Sequence, residues 1–178
     1  VYEAHSTDYQ TQNALTELVC NHFAILKVGP GLTFALREAL FSLDAIEREW
    51  IAPNKAANLK EIVDQVMTDE PEYWQRYYSQ ADNSTEHQQT LDRHYSLSDR
   101  IRYYWPHPQI QAAQEKLFNN FLRSPPPLTL LSQYLPEQAK KIAQGLLAAT
   151  PEALVIDKIM EVTQLYAKAV GHSQQAQY

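Results

Sequence analysis

Apolar residues in the first fifty positions alternate between short runs and longer stripes at helical spacing. The runs at Val1–Ala4 and Ala24–Val28 predict two short strands, the first of them buried. Thr11–Phe23 and Leu32–Glu49 carry apolar residues three and four positions apart, which predicts one helix after each strand. Because a crossover helix between two strands makes them parallel, the pattern indicates an α/β fold whose further strands are expected upstream.

From Pro53 onward the pattern is helical, and no further strand is predicted. Asn58, with Glu61 three residues later, is predicted to cap the first of these helices. The polar stretch 79–93 is predicted to be a surface loop or poorly ordered. Helices are predicted at Asn58–Thr68, Pro71–Tyr78, within Tyr95–Pro106, at Pro108–Phe121, Leu128–Tyr134, Pro136–Leu147 and from Thr150 toward Gly171. The chain is therefore divided into residues 1–52, two βα units, and residues 53–178, a helical extension.

The overall charge narrows the classes of partner. The 178 residues carry a formal net charge of −6, whereas a nucleic-acid-binding protein needs a basic face to displace counterions. No apolar run approaches the roughly 20 residues that span a bilayer, so no membrane partner is expected. The single cysteine, Cys20, excludes a disulfide within the chain and suits a reducing cytoplasm. The chain begins at Val1, inside a predicted strand, which suggests a part of a larger protein.

Two glycines and a lysine lie at the start of the second predicted helix. Gly29 and Gly31 let the chain approach a ligand closely, the helix N-terminus offers N–H donors, and Lys27 adds a positive charge. Ser6 follows the first strand, and the loops after neighbouring parallel strands meet at one edge of a sheet. These four residues are candidates for a phosphate site. The alternative is that Gly29-Pro30-Gly31 is only a turn.

A histidine and two arginines are further candidates for a site. His5 stands at the end of the first strand, where an imidazole can bind a metal, but no second ligand lies at metal-binding spacing, so this metal site is incomplete. Arg100 and Arg102 are candidates for phosphate contacts, because guanidinium groups bind phosphate through paired donors. The alternative, which the neighbouring aromatic residues favour, is that both arginines pack the helical extension onto the βα units.

Several segments of the chain, in order, resemble one bacterial family. They are VYEAHSTDYQT, HFAILKVGPGLTFALREALFSL, DEPEYW, YSLSDRIRYYWP, LLSQYLP and the closing helix. They are similar to the C-terminal portion of the Z-type subunit of D-tagatose-1,6-bisphosphate aldolase, a family of galactitol and N-acetylgalactosamine catabolism that is also called tagatose 6-phosphate kinase. The resemblance implies a TIM (β/α)8 barrel related to class II aldolases, with residues 1–52 as its last two βα units.

The function that this resemblance implies is that of a cytoplasmic accessory subunit, which supports the stability and full activity of a catalytic aldolase subunit. This chain would bind no cofactor, and zinc would belong to the catalytic partner. In class II aldolases a zinc-binding histidine falls at the position of His5, and phosphate-binding loops fall at Ser6, Lys27 and Gly29. The second loop departs from the pattern of active aldolases, because it reads Lys-Val-Gly-Pro-Gly without their Asn or Asp.

Two other functions are compatible with the sequence. The first is a sugar-phosphate lyase or kinase whose site is completed by upstream residues, with His5, Lys27, Arg100 and Arg102 as substrate contacts. The sequence contains no nucleotide phosphate loop, which gives a kinase no support. The second is an interaction module, from Asn54 onward, that folds without the barrel.

Overall fold

The computed structural model describes residues 1–78 and 85–171. Within them, β1 (Tyr2–Ala4) and β2 (Phe23–Leu26) form a parallel two-stranded sheet, and α1 (Gln12–Cys20) connects them. The predicted parallel βαβ unit, and with it an α/β fold, is confirmed.

The prediction that the first strand is buried is wrong. Only Ala4 of β1 is enclosed, whereas Tyr2 is 70 % exposed and Ile25 of β2 is 46 % exposed. The connecting helix buries Leu15 completely and contacts β2. Each strand has one neighbour among the residues that the structure describes, so much of the apolar surface of this small sheet faces solvent.

The longest helix, α2 (Pro30–Trp50), lies at the centre of the core. It starts two residues earlier than predicted, because Pro30 needs no N–H partner in the first turn and Gly29 serves as the N-cap. Leu40 and Leu43 are fully buried, in agreement with the apolar spacing that predicted this helix.

The remaining helices of the described chain surround α2. They are α3 (Leu59–Asp69), α4 (Gln75–Tyr78), α5 (Glu86–Tyr95), α6 (Pro108–Arg123), α7 (Leu128–Tyr134), α8 (Pro136–Ala143) and α9 (Pro151–Ala169), with 3₁₀ turns at Pro71–Tyr73 and Arg100–Tyr103. Helix α9 packs along α2 and α1, while α3 packs on α6. One buried apolar cluster extends from Ala39 to Val155 and crosses the predicted division after residue 52. That division stays a prediction.

Two buried carboxylates of α2 fasten the turn that leads into α3. Asp44 Oδ1 accepts a hydrogen bond from the Lys60 N–H at 3.2 Å, and Glu47 Oε2 accepts one from the Ala57 N–H at 2.7 Å. The predicted cap by Asn58 is wrong: this residue has φ +55° and its side chain makes no capping bond. The first turn of α3 thus finds its side-chain acceptor in Asp44 of α2, rather than in the neighbouring Asn58.

The prediction of a loop or disorder over 79–93 is wrong for its second half. Residues 86–93 belong to α5, which Thr85 begins by accepting a hydrogen bond from the Gln88 N–H at 3.2 Å. The buried face of this helix consists of Arg93 and His94. Because these side chains are polar, the helix carries no apolar stripe that a sequence pattern could reveal. Residues 79–84 lie outside the described part.

The helices near the C-terminal end follow the sequence closely. Thr150 accepts a hydrogen bond from the Ala153 N–H at 3.3 Å, so the predicted start of α9 is confirmed. Helix α7 has the predicted bounds. Helix α8 ends at Ala143, four residues before the predicted end, and Gly145 follows with φ +71°.

Candidate functional site

The loops after β1 and β2 lie side by side, as the parallel arrangement predicted. The Thr7 hydroxyl donates a hydrogen bond to the Lys27 carbonyl oxygen at 2.6 Å, and the Lys27 N–H donates one to the Ala4 carbonyl oxygen at 3.0 Å. Thr7 is buried, so this link between the loops is shielded from water. Both loops can therefore contribute to one site.

The N-terminus of α2 binds a carboxylate of the chain itself. Asp8 Oδ1 accepts hydrogen bonds from the N–H of Gly29 at 2.9 Å and from the N–H of Gly31 at 2.7 Å. The dipole of α2 favours a negative charge at this end. A phosphate oxygen directed at these two donors would compete with Asp8, so the predicted phosphate position coincides with an internal anion.

A side chain at Gly31 would crowd the Asp8 carboxylate, whereas one at Gly29 would not. A Cβ atom on Gly31 would lie 3.0 Å from Asp8 Oδ1, which is tighter than an ordinary contact. A Cβ atom on Gly29 would meet nothing within 4 Å. The space that glycine provides in this turn therefore serves the Asp8 side chain.

Lys27 and His5 both lie next to Glu3. The Lys27 Nζ atom is 2.6 Å from Glu3 Oε1, and His5 Nε2 is 3.1 Å from the same oxygen. The hydrogen bond from Lys27 lowers the pKa of the Glu3 carboxyl. The charge of the candidate phosphate-binding lysine is thus already paired with a carboxylate. Ser6, in the loop that follows β1, is exposed and has φ +55°.

The structure brings one possible second metal ligand, Glu3, close to His5. Zinc in proteins takes three or four protein ligands, and the carboxylate nearest to His5 is that of Glu3, which pairs with Lys27. No group of three or more His, Cys, Asp or Glu residues in residues 1–78 and 85–171 is placed to hold a metal ion. The incomplete metal site at His5 stays a prediction.

Arg100 and Arg102 are engaged with aromatic rings and backbone rather than with the glycine turn. The Arg100 guanidinium carbon lies 3.3 Å from the centroid of the Tyr77 ring. Arg102 donates to the Ser98 carbonyl oxygen at 2.8 Å and to the Tyr103 hydroxyl at 2.9 Å. These contacts lie within the helical extension, so both the phosphate contacts of these arginines and their packing of the extension onto the βα units stay predictions.

The arginine segment reaches the two loops through other side chains. The Tyr9 hydroxyl donates to the Leu97 carbonyl oxygen at 2.8 Å, and the Thr33 hydroxyl of α2 donates to the Asp99 carboxylate. Burial raises the pKa of Asp99, and burial together with the charges of Asp99 and Asp8 raises the pKa of Tyr9 to about 12. These groups hold residues 96–104 against the βα units.

Tyr166 of α9 closes the loops from the other side. Its hydroxyl donates to the Thr7 carbonyl oxygen at 2.8 Å and lies 2.9 Å from Thr7 Oγ1. Beside it is a mostly apolar cavity of about 310 Å³ that Phe34, Val162 and Leu165 help to line. The C-terminal half of α9 therefore covers the strand ends with aromatic and aliphatic side chains.

Asp8 belongs to this site but was not among the phosphate-site or metal-site candidates predicted from the sequence. The available signal was its place: an acidic residue after one strand, facing a helix that begins directly after the neighbouring strand. Tyr166 gave no comparable signal, because its contact with Thr7 spans 159 positions.

Proteins of a known family have sequences similar to that of this chain. The sequence model of the family described as "D-tagatose-1,6-bisphosphate aldolase subunit GatZ/KbaZ-like" matches residues 1–171. The chain belongs to this family. It is 53% identical over 166 residues to the GatZ subunit of D-tagatose-1,6-bisphosphate aldolase from Klebsiella pneumoniae subsp. pneumoniae, and 52% identical to the one from Salmonella paratyphi B. Each alignment covers 93% of this chain but only 38% of the relative, so the chain spans about two fifths of the curated relatives it matches.

A solved structure has a closely similar fold. It is described as the crystal structure of a probable tagatose 6 phosphate kinase from Sinorhizobium meliloti 1021. The TM-score is 0.86 at 46% sequence identity, over 95% of this chain and 43% of that one. The family inferred from the sequence is thus confirmed. None of the helices in the described ranges is both long enough and apolar enough to cross a bilayer.

Proposed function

We propose that this chain is part of a cytoplasmic accessory subunit of tagatose-1,6-bisphosphate aldolase, which binds and stabilises the catalytic subunit. Family membership and the naming of its relatives as aldolase subunits support this role. The observation that carries the proposal is the Asp8 carboxylate on the N–H groups of Gly29 and Gly31. A carboxylate of the chain itself occupies the N–H groups that a substrate phosphate would need. This supports a role in subunit assembly rather than in catalytic turnover.

The proposal includes the architecture of the longer protein. Residues 1–52 are the last two βα units of a TIM barrel related to class II aldolases, and the remaining residues are its helical extension. The parallel order of β1 and β2 and the exposed side chains of Tyr2 and Ile25 support this arrangement. In such a barrel further strands would cover the sheet surface that is now exposed.

Zinc and the sugar bisphosphate are assigned to the catalytic partner. His5 has one neighbouring carboxylate, Glu3, which pairs with Lys27, and this supports a partner-borne metal. A sugar phosphate at Ser6, Lys27 or Gly31 would have to displace Glu3 and Asp8 from their present bonds. No reaction step is therefore assigned to this chain.

The experiment is a reconstitution with the full-length protein. It is added to the purified catalytic subunit, and both aldolase activity and thermal unfolding of the mixture are recorded. The proposal expects a higher activity and a higher melting temperature of the catalytic subunit, in proportion to the amount added. Unchanged activity and an unchanged melting temperature would contradict it.

The second candidate is a sugar-phosphate lyase or kinase in its own right. The solved relative is described as a probable tagatose 6 phosphate kinase, and this observation keeps the candidate open. The full-length protein alone is assayed with tagatose 6-phosphate and ATP, and with tagatose 1,6-bisphosphate, each with and without zinc. Turnover that is lost in His5→Ala or Lys27→Met would favour the enzyme, whereas absence of turnover under every condition removes it.

A further inference from the structure

A second cavity lies beneath the helical extension, away from the strand ends. It has a volume of about 370 Å³, is open to solvent, and is lined by α2, the end of α5, the end of α7, the start of α8 and α9. Its lining includes Arg37, Phe41, Tyr95 and Lys158. Arg37 stands six residues after Gly31, which is about 9 Å further along the helix axis. The lining contains no residue of the loops that hold Asp8, although it shares Glu38 and Glu161 with the cavity beside Tyr166.

Arg37 is a buried cation without a polar partner. The residue is 5 % exposed, its Nε atom is enclosed without a hydrogen bond, and no ion pair or hydrogen bond to it exists within the described ranges. Its guanidinium carbon lies 4.0 Å from the centroid of the Phe34 ring and 5.3 Å from that of Tyr95. The rings pack against the guanidinium, but they leave its enclosed Nε–H donor without an acceptor.

A second arginine in the same protein shows how such a charge is usually accommodated. Arg93 is buried to the same degree, at 6 % exposure, and its Nε donates to Asp64 Oδ1 at 2.8 Å while a terminal nitrogen donates to Thr90 at 3.0 Å. Since burying an unpaired charge is costly, an anion from outside the chain would stabilise Arg37 in the way that Asp64 and Thr90 stabilise Arg93.

The acids near the cavity are mostly engaged with other groups. Glu161 accepts from Lys158 at 2.7 Å and from Gln138 at 2.7 Å, and Glu38 lies 3.7 Å from Lys158. Glu137 is exposed and makes no ion pair in the described part. Arg37 makes no ion pair with any of these acids in the described ranges; the charges of Glu38 and Asp99 act on it from a longer distance and raise its pKa, against the larger lowering by burial.

The start of α8 offers additional donors to the same cavity. Pro136, Glu137 and Gln138 form its first turn, all three line the cavity, and no side chain caps the helix. Pro136 has no N–H and the Ala139 N–H is bonded to the Leu135 carbonyl oxygen, so the donors of this end are the N–H groups of Glu137 and Gln138, where the helix dipole also attracts an anion. This end of α8 and the guanidinium of Arg37 therefore converge on one space.

We propose that this cavity binds a small oxyanion, the phosphate or carboxylate group of a metabolite, through the guanidinium of Arg37 and the first turn of α8. Arginine suits this task because its donors match two oxygens of a phosphate or carboxylate at once. The cavity is large enough for a group attached to the anion. The inference does not depend on the accessory role proposed above.

The direct test follows the Nε–H resonance of Arg37 in arginine-labelled full-length protein. Inorganic phosphate and, separately, acetate are titrated, so that the two sources of an oxyanion are distinguished. Binding predicts a saturable shift of the Arg37 resonance, with the ligand that fits better saturating at the lower concentration. A resonance that stays unmoved by both anions up to the tens-of-millimolar range would overturn the proposal.

Variants separate the site from general charge effects. In calorimetric titrations we expect Arg37→Met to weaken binding at least about tenfold, and Glu137→Gln to strengthen it about two- to fivefold by removing a nearby negative charge. Lys140→Met is the matched control, because Lys140 is an exposed cation of α8 outside the lining. Equal affinities of Arg37→Met and the unaltered protein would contradict the proposal. If Arg37→Met does not fold, the resonance titration and Glu137→Gln still decide.

Discussion

The two regions where an anion would be expected differ in how their positive groups are satisfied. At the strand ends, Asp8 accepts from the N–H groups of Gly29 and Gly31, and Glu3 pairs with Lys27. In the cavity under the helical extension, Arg37 has no acceptor within the described ranges. A glycine turn before a helix is thus an insufficient sign of a phosphate site, because a nearby carboxylate can take its donors. Arg37, which no sequence motif marks, is therefore the stronger candidate for binding an anion.

The largest effect is expected from removing the carboxylate that pairs with the other buried arginine. Asp64→Ala leaves Arg93 buried and unpaired, so we expect a loss of about 3 kcal/mol in the free energy of unfolding. Arg37→Met removes a charge that is already unpaired, and its effect should stay within about 1 kcal/mol.

Urea unfolding of the full-length protein measures both changes. Asp69→Ala is the control for Asp64→Ala, since Asp69 lies exposed on the same helix and bonds only to Gln65 in the described chain. Similar losses for Asp64→Ala and Arg37→Met would mean that the two arginines do not differ in the way described.

A smaller loss is expected when the internal carboxylate at α2 is removed. Asp8→Ala frees two N–H donors of the first helical turn, which costs about 1–2 kcal/mol of stability. Gly31→Ala should cost about 1 kcal/mol through the 3.0 Å approach to Asp8. In the double variant the Gly31→Ala penalty should largely vanish, because the atom that the new Cβ meets is gone. Thermal unfolding of the two single variants and the double variant measures this coupling. Additive losses would mean that the Gly31→Ala penalty does not come from contact with Asp8.

The stability of the helical region should depend on pH through His94. Burial lowers the pKa of this imidazole to about 4, with Asp64 opposing the shift and Lys60, Arg93 and Arg37 adding to it. The unfolded state, with an ordinary histidine pKa of about 6.5, then binds a proton that the folded state does not bind between pH 6.5 and pH 4. Stability is therefore present above pH 6.5 and falls as the pH is lowered, by about 1–2 kcal/mol.

The matched control for this pH dependence is His87→Gln, because His87 lies exposed on the same helix. His94→Gln should flatten the slope of stability against pH in this window, while His87→Gln leaves it in place. A slope that survives in His94→Gln would assign it to another group. Arg37→Met should raise the pKa of His94, which connects this measurement to the cavity.

The smallest effect is expected at the exposed pair of Glu3 and Lys27. Glu3→Gln removes a surface ion pair, and such pairs contribute little in water. The melting temperature of the full-length protein should be unchanged. A clear drop would show that this pair, like Asp8, holds the loops together.

The sequence predicted the parts of the structure that depend on neighbouring residues. The parallel βαβ unit, the apolar face of α2 and the Thr150 start of α9 follow from spacing and local capping. The predictions that failed concern places where a side chain distant in the sequence makes the decisive contact. Asp44 caps α3 in place of Asn58, and α5 buries Arg93 and His94, which no apolar pattern indicates.

The same distinction applies to the candidate site. The adjacency of the two loops could be predicted, because parallel strands end at the same edge of a sheet. The contact of Asp8 with Gly29 and Gly31 depends on how the first loop turns, and the surroundings of Arg37 depend on helices far along the chain, as distant as Glu161 of α9. Neither follows from local pattern alone.

The comparison between the two regions is tested most directly by one phosphate titration of full-length protein labelled at glycine and arginine. The account predicts that the Nε–H resonance of Arg37 shifts saturably, while the amide resonances of Gly29 and Gly31 stay in place because Asp8 retains their hydrogen bonds. A saturable shift of the glycine amides, with Arg37 unmoved, would contradict it and return the phosphate site to the strand ends.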